Sequence, residues 1–396
     1  MSGPLEGFRV IELGQGIPAA VAGMHLGDGG ADVIKVETGA GDIARTMPPF
    51  FATGESGTFV ALNRNKRAIS LDLSSEAGRE VLEELIAGSD ALVEDADFTR
   101  ELGFDLSGLV ERHSRLVHCR ISGWGGAGPM AGLPGGELPA QMAAEATTSL
   151  GSLGDPPVRL GTDAASTYAG IYAAQGILAA LFRRLQDGQG QRVEVSLFGS
   201  LLVTRATLWA ALSNPDDWFG FHNDSYVKPP DYGYQAKDGS LTIVVGRMSD
   251  EQWEALFSDL GLDGLTAEEQ RLLRTEGGST SRLSHVTRPL WEGGLANLTV
   301  EAAIEVFARH GASAYRVNDY PHLFAHPQAQ HLGLLTEVAG EHGPLPVMRP
   351  PSQFSEDAVG VRLPPPAFGQ HTAEVLREFG FTPERIEELY APGVAR

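Results

Sequence analysis

The stretch from Pro156 to Leu197, PPVRLGTDAASTYAGIYAAQGILAALFRRLQDGQGQRVEVSL, constrains the fold more than any other. It reads as a loop, a helix, a turn and a strand. From Tyr168 to Leu185 the residues are mostly Ala, Gly, Leu, Ile and aromatics, and a helix of that composition belongs in a core. Arg183 and Arg184 close it with cations, which suit the negative end of the helix dipole. Asp187-Gly188-Gln189-Gly190 supplies the stop and the turn. Gln191 to Leu197 then alternates Val193, Val195 and Leu197 with polar residues, the pattern of a half-buried strand. Gly170 and Gly176 each cost about 1 kcal/mol against Ala inside a helix, so they predict a close approach by a neighbouring element. Pattern alone describes a tightly packed core helix. A functional reading has its N-terminal end, near Asp163 and Ser166, face a ligand or a reactive group.

The preceding chain predicts what this helix packs on. Phe8 to Leu13 reads as a buried strand, Gly14-Gln15-Gly16 as a loop, Pro18 to Leu26 as a helix and Ala31 to Glu37 as a second strand. Strand, glycine loop, helix and strand make a βαβ unit and imply a parallel sheet. The loop is not a full dinucleotide fingerprint and gives little support to a nicotinamide cofactor. Further strands are expected within Asn63–Leu73, after a basic turn, and at Asp90–Glu94 and Leu116–Ile121, with an amphipathic helix over Ser75–Ile86. From Tyr226 the character changes. Pro229, Pro230 and Tyr232 lead into a hairpin turn at Ala236-Lys237-Asp238-Gly239 and a strand at Leu241–Val245. Helices are expected around Glu251–Leu260 and Glu301–His310, with a loop at Gly277–Ser281. Residues 226–325 read as a smaller second domain.

The chain has 396 residues, room for two or more domains with substantial cores. Its net charge of −21 argues against nucleic acid and anionic membranes as partners, while leaving room for one anionic ligand in a local basic pocket. The single cysteine, Cys119, permits no internal disulfide and sits in Leu116-Val117-His118-Cys119, where a buried structural thiol is expected. That fits a reducing cytoplasm. The sequence carries neither an N-terminal signal pattern nor an uninterrupted run of 18 apolar residues, so a cytoplasmic location off the membrane is the expectation. His322 and His326, with His331 nearby, lack a carboxylate cluster and are interrupted by Pro321 and Pro327; no metal is assigned to them.

Five segments in collinear order resemble the class III CoA-transferases, the group that includes formyl-CoA transferase, the carnitine CoA-transferases and the α-methylacyl-CoA racemases. GADVIKVE at 30–37, LNRNKRAISLDL at 62–73, SGWGGAGP at 122–129, the Pro156–Leu197 stretch and PPPAFGQHTAEVLREFGF at 364–381 carry the match. Within Pro156–Leu197, Gly161, Gly170 and Gly176 match the family's glycines. The resemblance implies an α/β fold: a doubly wound parallel sheet built from both chain ends in a large CoA-binding domain of residues 1–225 plus 326–396, and a small α+β domain of residues 226–325. It implies interlocked dimers with the active site at the subunit interface. CoA or acyl-CoA, bound as substrate, would lie against the C-terminal ends of the strands, near Gln15, Ile17 and Pro18, near Leu71, Asp72, Leu73 and Ser74, and near Ser122, Gly123 and Trp124. Lys66 and Arg67 would either attract its phosphates or form an exposed basic turn.

The departures from the family pattern bear on activity. The transferases place a nucleophilic aspartate four residues before the first helix glycine, and here that position is Ser166. A serine ester would be a far poorer acyl donor than the mixed anhydride a carboxylate forms. Ser166 is therefore expected to cap the helix, with Asp163 as a substitute nucleophile one turn away. The racemase histidine falls at Gly136, beside Glu137, which reads either as an acid/base or as an exposed loop residue. Thr38, Asp95 and Asp97-Phe98 replace residues the transferases commonly use around CoA, and a carboxylate facing a phosphate repels it unless paired. The expected function is acyl-CoA:carboxylate CoA transfer, or a diverged activity, through a non-standard active site, with an acyl-CoA or a small carboxylic acid as partner. The alternatives are a catalytically silent subunit in a heteromer with a second family member, and a diverged lyase, dehydratase or isomerase using Glu137 or Asp163.

Overall fold

The computed structural model describes residues 3–103, 106, 108–148, 156–206, 233–277, 284–340 and 343–396. The expected domain boundary at 225, the proline-rich lead at 226–232 and the loop residues 278–281 lie outside the described residues. The chain forms two compact units: Met1–Ala144 with Leu160–Arg205 and Pro327–Arg396, and Glu145–Arg159 with Ala206–His326.

The larger unit runs β1 (Arg9–Leu13), α1 (Pro18–Asp28), β2 (Asp32–Glu37), α2 (Gly57–Leu62), β3 (Lys66–Ser70), α3 (Glu76–Ala87), β4 (Ala91–Asp95), α4 (Ala96–Glu101), α5 (Leu109–Arg112), β5 (Val117–Ser122), α6 (Glu137–Ala143), α7 (Ala164–Asp187), β6 (Arg192–Ser196) and α8 (Leu197–Thr204). The smaller unit carries β7 (Tyr234–Ala236), β8 (Gly239–Val244), α9 (Asp250–Asp259), α10 (Ala267–Glu276), α11 (Ser284–Leu295), α12 (Val300–Arg309), β9 (Ser313–Arg316) and α13 (Tyr320–Ala325). The chain then returns to the larger unit with α14 (Pro327–Leu332), β10 (Leu335–Gly340), β11 (Gly343–Met348), α15 (Thr372–Glu378) and α16 (Pro383–Tyr390).

Strands β1 to β6 form one parallel sheet in the order β3-β2-β1-β4-β5-β6. The strand order reverses between β1 and β4, which opens a crevice at their carboxyl ends. On one face Ile11, Ile34, Ile69 and Leu92 pack with Leu82 and Leu85 of α3, Val375 and Leu376 of α15, and Ile386 and Leu389 of α16. The C-terminal segment thus covers the sheet rather than extending it. All six strands precede residue 197, and the chain end reaches the sheet region through an isolated bridge between Leu71 and Ala395. This corrects the expectation of a sheet built from both chain ends: residues 335–348 pair with themselves as the antiparallel hairpin β10–β11.

Helices α1 and α7 lie against one another, and α7 also packs on β5 and β6. A Cβ at Gly170 would stand 2.5 Å from Val21 Cβ and 2.6 Å from the Pro18 carbonyl oxygen, and one at Gly176 would stand 2.7 Å from Val193 Cγ1. The two glycines are where α7 meets α1 and β6, as their cost in a helix predicted. At the far end Arg184 donates to Asp90 Oδ1 at 2.7 Å and to the Arg115 carbonyl at 2.9 Å, and Gly188 ends the helix with a φ of +76°. By length and composition α7 passes for a membrane span, yet half of its apolar window is buried inside the fold.

The smaller unit folds around an antiparallel sheet, β7-β8-β9. Tyr234, Trp253, Phe257, Trp291 and Phe307 fill its core, and the Trp291 indole N–H donates to the Gly277 carbonyl at 2.8 Å.

Candidate active site at the carboxyl edge of the sheet

The loop after β1 begins at the point of strand reversal. A Cβ at Gly14 would lie 2.7 Å from Ala19 Cβ and 3.2 Å from Asp95 Cβ, so glycine lets the loop pass between α1 and the end of β4. Gln15, Ile17 and Pro18 follow, half-buried. Asp95 caps α4: its Oδ1 accepts from the Asp97 N–H at 3.0 Å and the Phe98 N–H at 3.2 Å. Burial pushes its carboxyl up to about 6, with the neighbouring Asp97 and Glu94 charges adding to the rise against those two bonds. Asp97 accepts from the Gly123 N–H at 3.3 Å and from Arg100 at 2.8 Å. Both carboxylates expected to oppose a phosphate are therefore engaged within the protein.

The loop from Ser122 to Gly136 is held by close backbone packing. A Cβ at Gly123 would collide with the Gly135 Cα. The Trp124 indole N–H donates to the Pro134 carbonyl at 3.0 Å, and Ser122 Oγ accepts from the Gly125 N–H at 3.0 Å. Between this loop and α4 lies a pocket of about 140 Å³ lined by Asp97, Arg100, Arg120, Trp124 and Glu194 among others. Sites for drug-sized ligands usually measure about 300 Å³ or more, so this pocket is smaller than a site for a whole ligand of that size. A larger cavity of about 420 Å³ lies between α2, β11 and Pro364–Gln370. Its cation, Arg45, is committed to both oxygens of Glu37 at 2.7 and 2.8 Å and stacks over Phe59.

At the start of α7 the structure corrects the reading of Ser166. The residue preceding the helix is Asp163, whose side chain makes no capping bond, and Ser166 is the third helical residue, buried at 5% exposure. The cap comes from a distance. Glu137, the first residue of α6, accepts the Ala165 N–H on Oε1 at 3.0 Å and the Ser166 N–H on Oε2 at 2.7 Å. Gln141, one turn along α6, donates to Glu137 Oε1 at 2.6 Å, and its own Oε1 accepts the Leu160 N–H at 3.0 Å. A carboxylate on two unpaired amides at the positive end of a 24-residue helix is strongly favoured. Nothing in the local sequence signals the pairing, because its partners are 28 and 29 residues apart.

Lys66 and Arg67 are corrected too. They start β3 at the amino edge of the sheet, away from the crevice. Lys66 is fully buried, ion-paired to Glu12 Oε2 at 2.7 Å and donating to Asn63 Oδ1 and the Ala20 carbonyl, each at 2.9 Å. Glu12 Oε1 lies 2.8 Å from Lys35 Nζ, which also pairs with Asp42 at 2.5 Å. Burial pulls the Lys66 ammonium down to about 8, opposed by Glu12 and aided by repulsion from Lys35. For Lys35 burial works in the same direction, but Glu12, Asp42 and Glu37 together hold it above the ordinary lysine range. Arg67 pairs with Asp32, Glu374 and Glu378. Neither cation is available to a phosphate. The network instead serves the crevice through Asp42, whose Oδ1 accepts the Gly16 N–H at 2.9 Å and fixes the loop after β1. Its signal in the sequence is a charge at the centre of each buried strand, Glu12 in VIEL and Lys35 in VIKVE.

Leu71 and Leu73 point into the core and are fully buried, so they offer only backbone to a ligand. Asp72 accepts from the Ser74 hydroxyl at 2.5 Å. Cys119 is buried, and burial pushes its thiol up to about 12, which removes it as a nucleophile. Among the described residues no cluster of His, Cys, Asp and Glu has the makings of a metal site.

A doubly wound sheet with glycine loops and a capped helix terminus at its carboxyl edge defines an α/β protein of the kind that binds ligands in the crevice at that edge. The chain belongs to CoA-transferase family III, whose model matches residues 5–372. Over 402 residues it is 29% identical to the succinyl-CoA:glutarate CoA-transferase of Homo sapiens, covering 99% of this chain and 90% of that protein. It is likewise 29% identical over 402 residues to the succinyl-CoA–L-malate CoA-transferase beta subunit of Chloroflexus aurantiacus, covering 98% and 96%. Its structure is similar to that of a CAIB/BAIF family protein from Brucella suis, with a TM-score of 0.81, 26% identity and coverage of 96% of this chain and 100% of the other.

Proposed function

We propose that the protein exchanges CoA between an acyl-CoA and a small carboxylic acid, through an active site in which position 166 supplies no carboxylate. The clasp at the start of α7 carries this reading. It sets a carboxylate, Glu137, against the backbone of the residue where the family resemblance puts an acyl-bearing aspartate. Relatives named for exchanging succinyl-CoA with glutarate and with L-malate support the substrate class. Gln15, Ile17 and Pro18, the backbone from Leu71 to Ser74, and Ser122, Gly123 and Trp124 form the surface assigned to CoA. Lys66 and Arg67 stand outside it, because both are consumed by internal ion pairs. Titration calorimetry with free CoA and succinyl-CoA tests the assignment. Binding of either, weakened by substitution at Ser122 or Trp124 and not at Arg67, is expected. No binding of either at millimolar concentration would remove the reading.

The active form proposed is a dimer of this chain, interlocked as the family resemblance implies. Helix α7 turns Ile171, Leu178, Phe182 and Leu185 outward, spaced seven, four and three residues apart, at 40%, 41%, 65% and 71% exposure. Apolar residues exposed along one face, interrupted by the exposed Gln175, suit an interaction surface. A second reading, a silent subunit paired with a carboxylate-bearing family member, is favoured by Ser166 and by the relative that is a beta subunit. The two separate on one measurement: the silent subunit shows no CoA exchange until its partner is added.

A further inference from the structure

We infer that Glu137 is itself the nucleophile that carries the acyl group, in place of the carboxylate missing at position 166; the inference rests on the CoA-transfer reading above. The hydrogen bonds divide the labour between its two oxygens. Oε1 accepts two donors, Gln141 Nε2 at 2.6 Å and the Ala165 N–H at 3.0 Å. Oε2 accepts the Ser166 N–H at 2.7 Å. A carboxylate oxygen offers about two lone pairs. Oε1 is therefore saturated, while Oε2 keeps a pair with which to attack. Two donors on Oε1 also form the arrangement that stabilises an oxyanion when Cδ becomes tetrahedral. Glu137 as a residue is half-buried. Gly136 before it has a φ of +158°, near-extended backbone that brings the chain straight into α6.

The steps balance without an added reagent. Glu137 Oε2 attacks the thioester carbonyl; the new C–O bond replaces the C–S bond, and CoA leaves as thiolate with the electron pair. The thiolate attacks Glu137 Cδ, the bridging C–O bond breaks, and the donor's carboxylate departs, leaving a glutamyl thioester. The acceptor carboxylate then attacks Cδ and expels the thiolate, which finally attacks the acceptor's acyl carbon. That last step yields the new acyl-CoA and restores the Glu137 carboxylate. At both attacks on Cδ the negative charge collects on Oε1, between Gln141 and the Ala165 amide. Gln141 is a positioning and charge-stabilising partner, and it has the burial of one: it is fully buried.

The test uses the full chain with succinyl-CoA, glutaryl-CoA and cinnamoyl-CoA, each followed by borohydride reduction and peptide mass spectrometry. Capture on the peptide holding Glu137 is expected, as the alcohol left by reducing a glutamyl thioester. Glu137→Gln keeps an acceptor oxygen for the helix amides, and is expected to lower CoA exchange by at least about 1000-fold with free-CoA affinity unchanged. Capture on Ser166 or Asp163, or exchange that survives in Glu137→Gln, overturns the assignment while leaving CoA transfer standing. Wild-type protein that neither exchanges CoA nor captures any of the three thioesters overturns both. Should Glu137→Gln fail to fold, the site of capture in the wild type decides the question by itself.

Discussion

Lys66 Nζ lies 2.7 Å from Glu12 Oε2, with neither side chain reachable by solvent. The space for that pair is made by a glycine on the helix above. A Cβ at Gly23 of α1 would collide with Glu12 Oε2 and would stand 3.3 Å from Lys66 Cε. Buried ions are costly to strand, and breaking such a pair costs about 3–5 kcal/mol.

The first prediction sets this cost against helix propensity. On propensity alone Gly23→Ala should stabilise α1 by about 1 kcal/mol. Displacement of the Glu12 carboxylate outweighs that, so urea unfolding should show a net loss of roughly 2–4 kcal/mol. Lys66→Met should cost a similar amount by leaving Glu12 Oε2 without its cation, even though Lys35 still holds Oε1. Neutral or improved stability in Gly23→Ala would show that the carboxylate has another place to go.

The ionic network also marks where sequence reasoning stops. The parallel sheet, α1, α3, α7 and the small unit's hairpin are legible because apolar period and glycine punctuation are local signals. Lys66 and Arg67 read as a basic turn because NRNKR looks exposed by composition; what decides their fate is Glu12, Asp32 and Glu378, all distant in the chain. The cap on α7 escapes the sequence for the same reason. Ser166 is a good capping residue in a plausible place, but the cap is tertiary and comes from Glu137. Helix α4 hides in the run Asp95-Ala96-Asp97, where an N-capping aspartate is visible but no apolar period follows it.

Asp95 gives the second prediction, a pH dependence. Its folded carboxyl titrates at about 6, above the 3.8 of an exposed aspartate. Between those values the folded chain binds the extra proton. The contribution is therefore fully present below about pH 4 and is lost as pH rises through about 6. The loss approaches roughly 3 kcal/mol, because each tenfold difference in proton affinity between the folded and unfolded chain is worth about 1.4 kcal/mol. Asparagine caps as well as aspartate and carries no charge. Asp95→Asn should raise the unfolding midpoint at about pH 7.5, by an amount that vanishes near about pH 4, where an exposed carboxylate is half protonated. An unchanged difference across that range would place the origin outside this carboxyl.

Gly170 supports the third prediction, again with a sign opposite to helix propensity. A methyl group there would meet Val21 Cβ at 2.5 Å and the Pro18 carbonyl oxygen at 2.6 Å. Since the second of these is backbone, the contact can be relieved only by moving α1 or α7. Overpacking of this kind costs about 1–3 kcal/mol. Pro18 begins α1 beside the loop assigned to CoA, so Gly170→Ala should lower both the unfolding midpoint and the affinity for CoA. A loss of stability with CoA affinity intact would separate the helix crossing from the site.

The last prediction concerns the outward face of α7. Phe182 and Leu185 are the most exposed residues of its apolar stripe. Burying a large apolar side chain is worth about 1.5–3 kcal/mol, and a two-fold interface counts each residue twice. In the proposed dimer the two residues together would then contribute roughly 6–12 kcal/mol. Light scattering of the wild type at micromolar concentration should give twice the chain mass. Phe182→Asp with Leu185→Asp should give the chain mass alone or insoluble protein, since four carboxylates would enter an apolar contact. A wild type that stays monomeric, with the double variant equally soluble and equally stable, would show that nothing covers this face in solution.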